Sequence, residues 1–480
     1  AEMAELMVKM SGKLTGDPQK KLLAEAKKIS EELMWVQDVW FGKAIALLAH
    51  IQMLQGDMDG AQKSVDSNWD VLTQIDNMLR EDARDNPDVD LLKISPLANC
   101  HYMLGVIMQG EAEKALAAGE KDKAKDLLVG KVTGTTPDKK PKRSAGALLH
   151  LATVFVDYPA TGWAPEAGAR KQKIEEMLKG MGVDVKVNIP PEKLKEIEKI
   201  QAREANTLFN QQKWADAQEA YIQLLKVFPE GEVAVGALAT LANCYIESAG
   251  ASEESKADYL FADAVIHHLA QRFGGDSPTM AMAGDQVLRM AMLYGDRRKE
   301  EQKEATYALY FSYFPKHARM PAILYSFGLE KMKLEDYAGA TNYFRKIITT
   351  YTNSTPYLDS FGRMATCMEK LGDHTNEVRV LEEYAQKLEK SGAGGIAVVR
   401  AKYSLARGLR QLGGITNTLT AMSRFSDLVK VLSDPKNPYQ KSAEDKETAD
   451  ALLEGALFNK AVCYASLTEP ESKLAEYRKA

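Results

Sequence analysis

Ala205 and Ala242 stand 37 residues apart, as do Ala291 and Gly328, and Gly328 and Ala365. A small residue returning at a fixed long interval marks a chain written in one repeated unit, and that unit limits the fold more than any other feature here. Its content is clearest at 327–351, "FGLEKMKLEDYAGATNYFRKIITTY". Gly328, Met332, Leu334 and Tyr337, then Ala340, Tyr343, Phe344 and Ile347, follow helical spacing. Asp336 sits at the break between the two stretches, where its carboxylate caps a second helix. The unit is therefore helix, tight turn, helix.

The plan recurs at 205–231 (Ala205, Trp214, Ala217, Tyr221, Leu224, Pro229), at 48–65 (Ala49, Gly56-Asp57, Ala61) and at 364–386 (Ala365, Gly372-Asp373, Leu381). The small residue of each first helix runs Ala49, Ala98, Ala205, Ala242, Ala291, Gly328, Ala365, Ala406, Ala461. It is expected where the two helices of a unit cross, because a larger side chain there would push them apart. The long interval from Ala98 to Ala205 hides a degenerate unit, expected within 145–182. Longer intervals elsewhere imply inserts or lengthened helices.

This ruler explains "LANC", written at 97–100 and again at 241–244. Each cysteine follows a small residue by two: Ala98/Cys100, Ala242/Cys244, Ala365/Cys367, Ala461/Cys463. That slot faces the interior, where a thiol serves as a modest hydrophobe. No two lie in neighbouring units, too far apart for a disulfide. Four buried free thiols are expected.

Helix pairs with a small residue, a Gly-Asp or Asn/Lys turn, a following Ala, an aromatic and a closing Pro resemble tetratricopeptide repeats. Gly328, Asp336, Tyr337, Ala340 and Phe344, with Trp214, Ala217, Tyr221 and Pro229, carry the likeness. It covers 205–480 well, 36–65 fairly, and the stretch between in pieces. Helix ends reading "KVFPEG", "SYFPKHA" and "VDYPATGWAPEA" are similar to bacterial cell-envelope repeat proteins, the BamD-like lipoproteins of outer-membrane assembly and the Tol-Pal coordinator. The resemblance implies an all-α superhelix, a solenoid of about nine or more helix pairs.

Residues 1–182 read as an N-terminal array with lengthened helices, 183–191 as a connector, and 192–480 as a C-terminal array that stops partway through a unit. Around the connector "MGVDVKVNIPPEKL" alternates like an extended strand and sets Pro190-Pro191 at the next helix start. After Cys100 the helix is expected to run about four extra turns, to the "GEKDKA" turn. The segment 130–146, rich in Gly, Thr and Pro and carrying Lys139, Lys140, Lys142 and Arg143, reads as a solvated flexible loop.

Catalytic signatures are missing. There is no H-E-x-x-H, phosphate loop or nucleophile elbow. "SGAGGIAV" at 391–398 joins two helices and follows no strand. His374 and Glu377 share a helix face, yet two ligands do not make a zinc site. No metal, cofactor or catalytic residue is expected, and the Met-rich 279–293 and aromatic 307–314 stretches read as core. With 62 Lys+Arg against 67 Asp+Glu, the net charge of −5 supplies no basic field for nucleic acid. No apolar run reaches the ~18–20 residues of a membrane span, so a membrane is met only through partners.

What remains is a groove lined by first helices. The residue after each small one is expected there: His50, Asn99, Asn206, Asn243, Met292, Leu329, Thr366, Arg407 and Val462. An Asn amide grips a peptide backbone with both donor and acceptor. Arg289 is expected beside Asn243, where it would hold an acidic side chain. Ala202 and Ala239 stand where family members that clamp a terminal carboxylate carry lysine. The candidate partner-binding set is Asn99, Asn206, Asn243, Arg289, Thr366 and Arg407. The expectation is a non-enzymatic scaffold that binds a partner's peptide or helix, periplasmic or envelope-linked, its leader removed before Ala1 or the chain itself a fragment. Alternatives are a cytoplasmic adaptor, a helical-toroid glycan enzyme with paired carboxylates in an aromatic cleft, and an RNA-reading helical repeat.

Overall fold

The computed structural model describes residues 2–12, 14–35, 39–85, 91–135, 141–249, 255–391, 395–434 and 442–468. They are almost wholly helical and divide into two compact units, Ala1–Phe314 and Pro315–Ala480.

The first unit opens with α1 (Glu2–Ser11), α2 (Asp17–Glu32), α3 (Val39–Leu54), α4 (Met58–Asp66) and α5 (Trp69–Asp85). A single 3-10 turn, Leu91–Ile94, precedes α6 (Pro96–Ala117) and α7 (Lys121–Val129). Then come a two-stranded hairpin, β1 (Val132–Thr135) and β2 (Pro141–Arg143), and α8 (Ala147–Asp157) and α9 (Ala164–Gly180). The unit closes with α10 (Pro191–Asn210), α11 (Trp214–Val227), α12 (Ala234–Ser248), α13 (Ser255–Phe273), α14 (Met280–Asp296) and α15 (Glu300–Tyr313). The second unit holds α16 (Met320–Lys333), α17 (Tyr337–Thr350), α18 (Tyr357–Lys370) and α19 (His374–Lys390). It ends with α20 (Ile396–Leu412), α21 (Ile415–Leu432) and α22 (Ala443–Thr468).

From α3/α4 onward, α5 aside, helices pair antiparallel with their sequence neighbour, and first helices stack on first helices, as in α3 on α6, α12 on α14 and α16 on α18. This is an all-α helical-repeat solenoid of tetratricopeptide type. Its crossing points carry the expected small residues: Ala49, Ala98, Ala205, Ala242, Ala291, Gly328, Ala365 and Ala406 are buried. At Gly328 the approach is close, since a Cβ there would lie 2.7 Å from two ring carbons of Phe344. The second helices supply the other half of the contact, a small residue and a large one a turn later: Ala217/Tyr221, Thr306/Tyr310, Ala340/Phe344 and Ala421/Phe425, all buried.

One turn joins most pairs. Gly56, Gly119, Gln212, Arg298, Glu335 and Gly372 adopt φ between 56° and 83°. The next residue in each case donates its N–H to the carbonyl five residues back, as in Asp57 to Gln52 (2.9 Å), Lys213 to Leu208 (3.0 Å) and Asp373 to Met368 (2.9 Å). That bond closes the first helix in the manner of a Schellman motif. The same residue starts the second helix: Asp57, Asp336 and Asp373 accept from the N–H of Gly60 (2.9 Å), Gly339 (2.9 Å) and Asn376 (3.2 Å). The connections between pairs are equally uniform. Phe228, Phe314 and Tyr351 end α11, α15 and α17 with φ near −120° and ψ near 50°, and Tyr158 ends α8 in the same way inside the α8/α9 pair.

Several expectations are corrected. Ala461 is exposed; α22 instead turns Ala456, Asn459 and Cys463 inward, because no described element covers the face on which Ala461 lies. The segment expected as a flexible loop forms the hairpin, pairing Val132 with Arg143 and Thr135 with Pro141; Lys139 and Lys140 lie outside the described residues. The long interval between Ala49 and Ala98 holds an inserted helix, α5, as its length implied. The two compact units divide at Phe314/Pro315, a division separate from the connector expected at 183–191. That connector is extended and alternating as expected, but its Val183, Val185, Val187 and Ile189 pack on the core of the first unit. The Val187 N–H donates to Glu175 Oε1 (3.0 Å).

Other readings hold. The degenerate unit is α8/α9, and α6 runs on to Ala117. The four cysteines are free and buried, and burial pushes the Cys100 and Cys244 thiols up to about 12. The unfinished unit at 469–480 lies outside the described residues.

Candidate partner-binding cavity

The first unit holds a semi-enclosed cavity of about 530 Å³, within the usual range for a ligand pocket. Its walls come from α1, α3, α6, the corner between α8 and α9, α10 and α11. The apolar surface is Val8, Leu47, Trp163, Ala205, Leu208 and Ala220. Trp163 is held from two sides: it stacks on the buried Tyr102 (4.8 Å between ring centroids) and meets His50 edge-on (6.2 Å). Burial lowers the His50 pKa, so this imidazole is neutral at pH 7.

Polar groups on the walls fall into two kinds. Three carboxylates are already neutralised: Glu5 by Lys43 (3.7 Å), Glu166 by Arg170 (2.7 Å) and Glu204 by Lys93. Asp216 and Glu219, exposed on α11, have no ion pair among the described residues. The second kind is unsatisfied. Gln201 is 2% exposed, and neither its Nε2 nor its Oε1 has a partner; Asn99 Oδ1 is likewise buried and unpartnered. Leaving a buried polar atom unpaired costs about 1–3 kcal/mol. Asn99 on α6 and Gln201 on α10 thus leave polar atoms unpaired at the cavity.

The expected groove residues fare unevenly. His50 and Asn99 line the cavity. Asn206 does not; its Oδ1 accepts from Tyr221 OH (2.5 Å) within its own helix pair. On α10 the cavity stripe is Gln201, Glu204, Ala205 and Leu208, the small residue's own face, because α11 folds back to form the next wall. Asn243 Oδ1, on α12, is buried without a partner, outside this cavity. Arg289 is exposed on α14, and no hydrogen bond joins it to Asn243 among the described residues. Met292 is exposed as well. In the second unit, Thr366 donates to Gly362 O (3.0 Å) and Arg407 pairs with Glu369 (2.6 Å), so both are engaged locally. Ala202 and Ala239, in the lysine-clamp places, are buried. Gln201 and Trp163 were missed. A glutamine one turn before the crossing alanine is a weak sequence signal, and the Trp163 environment depends on residues from distant helices.

A buried polar cluster lies on other elements of the same unit. Asp76 is 3% exposed and accepts from Arg80 Nε (2.7 Å), Ser95 Oγ (2.5 Å) and Tyr158 OH (2.9 Å). This ties α5, the start of α6 and the end of α8 together. Beside it His101 and His150 meet Nδ1 to Nδ1 at 2.8 Å, with Trp69 edge-on to both. Among the described residues no three His, Cys, Asp or Glu side chains form a metal site, and no helix is long and apolar enough to cross a membrane.

No protein family matches the chain, and no curated protein does. Among solved structures, yeast Tom70 covers 98% of this chain and 99% of its own at 15% identity and a TM-score of 0.26. The APC/C hetero-tetramer Cut9-Hcn1 covers 94% and 98% at 12% identity (TM-score 0.24), and the P58(IPK) TPR domain 94% and 98% at 13% (TM-score 0.19). With TM-scores this low, the repeat assignment rests on the helix pairs described above.

Proposed function

We propose that this chain is a non-enzymatic scaffold that takes a segment of a partner protein into the cavity of its first unit, as part of a bacterial cell-envelope assembly. The observation that carries the binding role is Gln201: a side-chain amide held in the wall of an apolar cavity with both hydrogen-bonding ends empty. A peptide group supplies the complementary acceptor and donor. The walls carry no Cys or Ser, and the one hydroxyl, on Thr161, donates to Tyr158 O (2.9 Å). The envelope setting is supported by the style of the helix-to-helix corners at Tyr158 and Phe228.

A photo-crosslinking amino acid placed at Leu208 tests the reading in intact cells, with exposed Leu260 on α13 as control. A discrete protein adduct at Leu208, missing at Leu260 and recovered with the envelope fraction, is the expected result. No adduct at Leu208, or the same adducts at both positions, would remove the scaffold reading.

A further inference from the structure

We infer that the segment taken up by this cavity is cationic: an apolar side chain seated on Trp163 and Leu208, with a lysine or arginine within one or two positions reaching Asp216 and Glu219. The inference rests on the scaffold reading and adds the chemistry of the partner.

Three independent features converge on it. The first is charge. Of the five carboxylates on the walls, Glu5, Glu166 and Glu204 already have a cation, while Asp216 and Glu219 do not among the described residues. The only lysine on the walls, Lys93, is bound to Glu204, and His50 is held neutral by burial. An anionic ligand would meet uncompensated carboxylates and no available cation. A cationic one completes the pairing, and both carboxylates are exposed enough to meet it before it is desolvated.

The second feature is hydrogen-bond stoichiometry. The empty atoms are Gln201 Oε1 and Asn99 Oδ1, which accept, and Gln201 Nε2, which donates. Two acceptor oxygens and one amide NH2 are left open, so a ligand that brings N–H groups as well as a carbonyl finds partners. A backbone amide satisfies Gln201 at both ends; Asn99 Oδ1 then calls for a further N–H, which a Lys or Arg head group carries in surplus and a carboxylate lacks.

The third is shape. Val8, Leu47, Leu208 and the Trp163 ring line the same cavity as Asp216 and Glu219, and the ring is stacked on the buried Tyr102. A stacked aromatic ring in a cavity that also carries open carboxylates suits a large apolar side chain next to a cation, whose stem packs along apolar surface.

The test uses the purified full chain and two pools of labelled, end-blocked nonapeptides. Both carry a central Leu, Phe or Trp; one pool has Lys or Arg at the flanking positions and the other Asp or Glu. Fluorescence anisotropy is expected to show the cationic pool binding at least about tenfold tighter, with the preference falling as salt is raised. The double substitution Asp216→Lys with Glu219→Lys alters exposed positions only, so it should leave the helical circular dichroism unchanged while abolishing or inverting the preference. Gln201→Met keeps the side-chain volume and removes the amide. It is expected to weaken binding of the cationic pool about tenfold without loss of thermal stability. Equal or tighter binding of the acidic pool, or a preference that survives the charge reversal, overturns the inference. If Leu208 still captures a partner in cells, the scaffold reading outlives that result; if Leu208 captures nothing, the scaffold reading falls whichever pool binds.

Discussion

Burying two imidazoles against each other makes a pH-dependent weak point. At 2.8 Å between Nδ1 atoms, one ring donates and the other accepts, so the bond is lost if both are protonated. Burial pushes His150 down to about 3, helped by its neighbour, and His101 down to about 4 against the opposing pull of Asp76. Both folded values lie below the unfolded 6.5, so the unfolded chain binds protons first as pH falls. Stability from this pair is level above pH 6.5 and is lost from there downward, through the window to about 4 and then about 3. The slope is about 1.4 kcal/mol per pH unit for each ring, or a few kcal/mol in total by pH 5. Urea unfolding followed by hydrogen exchange in α6 and α8 at pH 7.5 and 5 should show this loss. The double variant His101→Gln with His150→Gln should flatten it, and an unchanged slope would refute the account. At this scale the sequence was partly readable. The cysteines and eight of the nine small residues are buried, as their spacing implies, and Gly328 meets Phe344 of its own pair. The histidine pair was not readable, because its members come from different helix pairs and owe their neutral state to burial in the assembled fold.

The turns show the same division at the scale of elements. A Gly-Asp step announces itself, since glycine enters positive φ without steric cost and aspartate caps the helix that follows. Asp373 does so twice over, accepting from the N–H of Asn376 (3.2 Å) and from its side-chain Nδ2 (2.6 Å). Asp373→Ala should cost about 1 kcal/mol, read as roughly fivefold faster amide exchange in the first turn of α19. Exchange unchanged there would show that the cap is not engaged in solution. The same turn at Gln212, Arg298 and Glu335 places non-glycine residues at φ 56–60°, which no propensity argument would choose. They are held there by the i to i−5 bond and by the packing of the helices on either side. The hairpin at 132–143 escaped for a related reason. Its Gly, Thr, Pro and Lys composition is that of a solvated loop, and strand pairing is a property of two segments meeting.

Across the whole molecule, stability should behave as a sum of pairs and their neighbours and not as one cooperative event. Gly328→Val forces a side chain against the fully buried Phe344 ring and should cost about 1–3 kcal/mol. Loss of exchange protection is expected to centre on α16–α18, leaving α6–α9 as in the parent. Protection lost evenly over the chain would contradict the repeat account. The sequence by itself determined the helix pair, its crossing residue and much of its turn, because all three depend on contacts within about 37 residues, where helical period and capping chemistry act directly. Only the tertiary structure decided where a ligand could sit. The cavity is assembled from Glu5 on α1 through Gln223 on α11, and a buried amide is unsatisfied only with respect to the atoms that surround it. Which polar groups are left without partners depends on how distant helices stack, and no local pattern carries that information.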